Sequence, residues 1–118
     1  MTRAFLVLLI LAPGVLRAAE DSSRQQVDFG LMVAQKGLWQ EARFRFERAV
    51  ELDPQNAPAL NDLAIALEQM GEFAGARKAY EKALELKPDD AYIQQNYDLF
   101  READDKRNRK NKKKRPQP

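Results

Sequence analysis

The 118-residue chain contains no cysteine and no histidine. Without cysteine there is no disulfide framework, no thiol nucleophile and no thiolate ligand for a metal. Without histidine, the commonest general base and a frequent transition-metal ligand are missing too. Ser22 and Ser23 are the only serines, and they fall where the start of a helix explains them. There is no glycine-rich phosphate loop. The acidic residues Glu41, Glu47, Glu51, Glu81 and Glu85 fall on solvated helix faces, and Glu41 has Arg45 one turn on. These absences point away from an enzyme, and no metal or cofactor is expected. The one long apolar run, Ala4 to Ala12, is well short of the roughly 20 residues that cross a bilayer.

What the chain does have is a repeat. Gly30, Gly37, Trp39, Ala42, Phe46, Ala49, Leu52 and Pro54 recur 34 residues later as Ala64, Gly71, Phe73, Ala76, Tyr80, Ala83, Leu86 and Pro88, without a gap. Small, aromatic and closing residues each return in their own size class. Such a period means stacked helical hairpins rather than one closed core. In the first helix of each copy, Phe29 and Val33, and Leu60, Leu63 and Leu67, lie at helical spacing. Gly30 and Ala64 let the paired helix approach, and Gly37 and Gly71 sit where a left-handed cap is needed. Pro54 and Pro88 end the second helices. Ser23 with Gln26 forms a candidate capping box, and Asn56 and Asp90 are candidate N-caps for the next two helices. A fifth helix over 91–104, with Ile93, Tyr97 and Phe100 on one stripe and Tyr92, Leu99 and Ala103 beside it, caps the array.

These residues resemble the tetratricopeptide repeat. The second copy is the nearer match, with Ala57-Pro58-Ala59-Leu60-Asn61-Asp62-Leu63-Ala64, Gly71-Glu72-Phe73 and the Ala-x-x-x-Tyr-x-x-Ala-Leu-x-Leu-x-Pro run of Ala76 to Pro88. The first departs at Gln26 and Val33. The resemblance implies an all-α fold: two helix-turn-helix hairpins, 23–56 and 57–90, in a short right-handed superhelical array with a capping helix. It also implies a scaffold that binds another protein or peptide, as yet unidentified, in a concave groove. By family position that groove is lined by Arg24, Val27, Leu31, Ala34 and Gln35, then Pro58, Asn61, Ile65, Glu68 and Gln69. It lacks the Lys and Asn pair with which chaperone-binding relatives clamp a carboxylate. Trp39 stands where the second copy has Phe73 and reads as core. Phe44, opposite Lys78 in register, is a candidate convex contact for a partner or for self-association.

Two flanking segments differ in kind. Met1-Thr2-Arg3, the apolar run, Pro13-Gly14 as its break, and the small residues Ala18-Ala19 read as a signal peptide over 1–18, with 19–22 as a linker. Export to the periplasm or medium is the expectation, with an uncleaved membrane anchor as the alternative. At the other end, Lys106, Arg107, Arg109, Lys110, Lys112, Lys113, Lys114 and Arg115 are eight cations with no acid among them. Since the whole chain is +2, residues 1–105 carry −6. The stretch 105–118 has no apolar residue except proline and reads as a disordered basic tail. Such a tail either attracts an anionic envelope component, whether lipid or polymer, or simply solubilises the chain and folds back onto its acidic body. Lacking an aromatic for stacking, it gives no support for specific nucleic-acid recognition.

Overall fold

The structure, a computed structural model, describes residues 12–116 and residue 118. The described residues form five helices and no strand: α1 (Pro13–Gln35), α2 (Trp39–Leu52), α3 (Ala57–Gln69), α4 (Phe73–Leu86) and α5 (Ala91–Lys114). The helices pair as two antiparallel hairpins, α1 with α2 and α3 with α4. The second hairpin stacks on the first through α2 and α3, and α5 packs on the second. No helix among the described residues is long and apolar enough to cross a membrane.

The turns follow from the sequence. Gly37 and Gly71 take φ values of 74° and 76°, the left-handed region that glycine enters without a steric penalty. Each lets the next amide fold back, Leu38 N–H to Val33 O and Glu72 N–H to Leu67 O. The carboxamide of Asn56 accepts from Ala59 N–H, and the carboxylate of Asp90 accepts from Ile93 N–H, so both expected N-caps form. Gly30 has a sharper role than close backbone packing in general. A Cβ there would lie 2.5 Å from a ring carbon of Phe46, so the missing side chain is the space the ring fills.

Three small core clusters hold the stack together. Val33, Ala42, Phe46 and Ala66 join the hairpins, with Trp39 and Leu63 packed beside them. Ala64, Leu67, Ala76, Tyr80 and Phe100 join the second hairpin to α5, and Ala57, Leu60, Ala83 and Ile93 close the other end. Trp39 thus packs against the core as its register with Phe73 implied.

The structure corrects four expectations. The 19–22 linker is helical, inside an α1 that begins at Pro13, where the missing N–H costs nothing in the first turn. Ser23 is therefore not a cap. It is fully buried, its hydroxyl donates to Ala49 O at 2.7 Å and accepts from Asn56 at 3.0 Å, and so it ties α1 to both α2 and α3. Phe29 does not join the core but is 39% exposed, because no hairpin among the described residues lies before α1 to cover it. Lastly, the expected disordered tail is helical over 105–114, since α5 runs on to Lys114. Lysine and arginine are good helix formers, no proline intervenes before Pro116, and cations suit the C-terminal end of the helix dipole. The packed first half of α5 supplies the nucleus that an isolated peptide lacks. Residues 1–11, most of the expected signal peptide, lie outside the described residues.

Candidate functional site

Because the hairpins repeat at 34 residues, Leu31 of α1, Ile65 of α3 and Leu99 of α5 stand in one register. They form an apolar ladder across the three inner helices. Leu31 is 43% exposed and Leu99 61% exposed, while Ile65 is half-buried against the second-hairpin core. Two open aliphatic side chains flanking a half-buried one at the same register are suited to receiving apolar side chains from another molecule. Tyr92, in register with Arg24 and Pro58, adds an exposed ring on α5.

The expected groove residues divide into three groups. Arg24, Val27 and Pro58 come together at one hollow of about 460 Å³, with Asp28 and Lys87 also on its wall. Arg24 is paired with Asp21 at 2.9 Å on the surface. Leu31, Gln35 and Gln69 are exposed, whereas Ala34 and Ile65 are half-buried. Asn61 and Glu68 are engaged within the fold. Asn61 is buried, its carbonyl accepting from Asn96 of α5 at 3.0 Å and its amide donating to Asp62 at 3.3 Å. Glu68 accepts the Tyr80 hydroxyl at 3.0 Å. The Tyr80 hydroxyl is pushed well above its usual range, first by burial and then by the Glu68 charge. Asp62 lies between Asn61 and the ladder in sequence, and burial raises its carboxyl to about 6 despite the hydrogen bond from Asn61.

The sequence did not single out Tyr92 and Leu99 as equivalents of the expected groove positions, because α5 reads in isolation as a polar cap. The 34-residue register carried one copy further identifies both, so the signal was present.

Away from the ladder, Phe44 is 56% exposed and shares a hollow of about 730 Å³ with Leu38, Trp39 and Met70 at the α1–α2 turn. Arg45 lies 4.3 Å from the Phe29 ring centre and 5.5 Å from that of Phe44, partly covering both.

The basic end of α5 is anchored on one side only. Asp104 accepts from Arg77 of α4 at 2.8 Å and from Arg107 at 3.1 Å, and the Arg107 guanidinium stacks 3.5 Å above Phe73. Arg77 beside it, then Arg107, hold the Asp104 carboxyl below the usual carboxylate range. Asn108 and Asn111 line the same crevice against α4. Lys106, Arg109, Lys110, Lys112 and Lys113 lie around a separate open surface, and Lys112, Lys114 and Arg115 are likewise exposed. Lys106 also reaches Glu102 at 2.8 Å.

Comparison with known proteins agrees with this geometry. A family model described as tetratricopeptide repeat matches residues 34–95, from the end of α1 into α5. The matched span omits most of α1, where Gln26 and Val33 depart from the pattern. The crystal structure of the Sgt2 TPR domain from Aspergillus fumigatus superposes with a TM-score of 0.69 at 21% identity, over 74% of this chain and 59% of that one. At that identity the likeness speaks to the fold alone. No curated protein matches the chain.

Proposed function

The chain belongs to the tetratricopeptide repeat family, whose members typically serve as protein-interaction scaffolds, and we propose that it is a non-enzymatic adaptor holding a segment of a partner protein in the concave groove. The open ladder of Leu31, Ile65 and Leu99 is the observation that carries this reading. A monomer that needed those side chains only for its own packing would bury them, as it buries Phe46 and Phe100. An extended or helical segment offering apolar side chains at matching spacing fits such a surface.

Export through a cleaved signal is part of the proposal. Its support is the sequence of the first nineteen residues, together with one structural fact. Residues 12–18 are all exposed, so losing them with the signal takes away none of the described core, and Ser23, Gly30 and Val33 stay in place.

The groove is tested by pull-down at high salt, with the full chain beside a version lacking 106–118. Retention of one protein by both, and its loss with Leu31→Asp or Ile65→Asp in a chain that still unfolds cooperatively, is the expected result. A second reading is favoured by the exposed cations of α5: the arm tethers the protein to an anionic envelope surface, with the repeats as a spacer. In that case binding collapses on raising salt or on removing the arm, and the ladder substitutions leave it intact.

A further inference from the structure

Helical spacing sets Leu99, Lys106, Lys110 and Lys113 on one stripe of α5, at steps of seven, four and three residues. Tyr92 begins that stripe and Leu99 is the outer rung of the ladder. The opposite side of the same helix is tied to α4 through Asp104 and Arg107. Those ties fix the rotation of the helix. They turn Leu99 and the cations outward along one side, with Glu102 between Leu99 and Lys106 and paired to Lys106.

We infer that groove and arm are one bipartite site. It takes a protein segment whose apolar side chains sit on Leu31, Ile65 and Leu99 and whose acidic tract lies along Lys106, Lys110 and Lys113. This rests on the groove reading above and adds the chemistry of the partner. At a rise of 1.5 Å per residue, the cations begin roughly 10 Å beyond Leu99 and end roughly 21 Å beyond it. A helical partner thus places its first acid about seven residues from its apolar anchor, and an extended partner about three residues from it.

Charge selects a short acidic segment over a lipid or polymer surface. With residues 1–105 at −6, a broad anionic surface that reaches the arm also meets the acidic body within about a Debye length. A peptide tract confined to the arm does not. Residues 105–115 also contain no apolar side chain to enter a bilayer.

The test uses the full chain to select random peptides displayed on phage. Selected peptides are then titrated by fluorescence anisotropy against the wild type, a Lys106→Glu, Lys110→Glu, Lys113→Glu triple variant, and Leu99→Asp. All four substituted positions are exposed, and circular dichroism checks that the variants fold. The expected peptides carry apolar anchors and a separate run of Asp or Glu, and each variant weakens them by about tenfold or more. Peptides without acids that weaken only with Leu99→Asp overturn the bipartite site while leaving the groove reading intact. Peptides that weaken only with the triple variant overturn both. Adsorption to phosphatidylglycerol vesicles with no peptide selected also overturns the inference, in favour of the tether.

Discussion

The two ends of the array present the same helix stripe to opposite fates. Gln25, Phe29, Met32 and Lys36 on α1 correspond in register to Ile93, Tyr97, Phe100 and Asp104 on α5. On α5 the stripe is turned inward, with Ile93, Phe100 and Asp104 buried and Tyr97 half-buried beside Tyr80, because a hairpin precedes it. No hairpin among the described residues precedes α1, and there Phe29 and Met32 face solvent with Arg45 over the Phe29 ring. Between them, α3 shows the covered state again, with Ala59 and Ala66 fully buried. Burial in a stacked array is thus set by whether a neighbour exists, and side-chain hydrophobicity at a given register does not decide it.

The strongest way to break this contrast is a pair of identical truncations. Phe100→Ala opens a cavity in the cluster of Tyr80, Leu67 and Ala76 and should cost about 3–5 kcal/mol in chemical denaturation. Phe29→Ala at the other end should cost less than about 1 kcal/mol. Equal losses would show that the N-terminal stripe is covered in solution.

Next in size is the ion network. Asp104→Asn weakens the ties to Arg77 and Arg107 and should cost about 2 kcal/mol near neutral pH. Its folded-state carboxyl lies below the ordinary value, so this contribution is present above about pH 4 and fades as pH falls through the lowered folded value. Lys36→Ala, the register equivalent on α1, should change stability by less than about 0.5 kcal/mol.

The middle of the array gives a smaller effect of opposite sign. Asp62 is raised to about 6 by burial, so its folded form prefers the proton. The stability associated with that proton is full below about pH 4 and is lost as pH rises through about 6. Asp62→Asn should therefore stabilise by about 1–2 kcal/mol at neutral pH and by nothing in acid, measured as thermal midpoints across pH.

The smallest effect lies in the arm. Lys112→Pro should lower far-UV ellipticity by ending α5 early, yet leave the thermal midpoint unchanged, because residues 112–116 are all exposed.

Much of the fold was legible because its determinants are local. The 34-residue recurrence, the left-handed glycines, the caps at Asn56 and Asp90 and the closing prolines each act within a few residues, so spacing reveals them. The groove register was legible for the same reason in two helices and was missed in the third only because α5 was read as a cap. Less visible was anything that depends on a neighbour. Ser23 looked like a cap because its buried partner, Ala49 O, lies 26 residues away. The arm looked disordered because it has no apolar stripe, yet the packed half of α5 carries the helix into it.

By itself, then, the sequence determined the number of hairpins, their register and the positions of their turns, since backbone preference and periodic burial are written residue by residue. The tertiary structure alone decided which copies of the stripe are covered, how far α5 extends, and which side of α5 Asp104 and Arg107 hold against α4. Those outcomes depend on contacts between distant segments, whose free energy exists only once the hairpins have stacked.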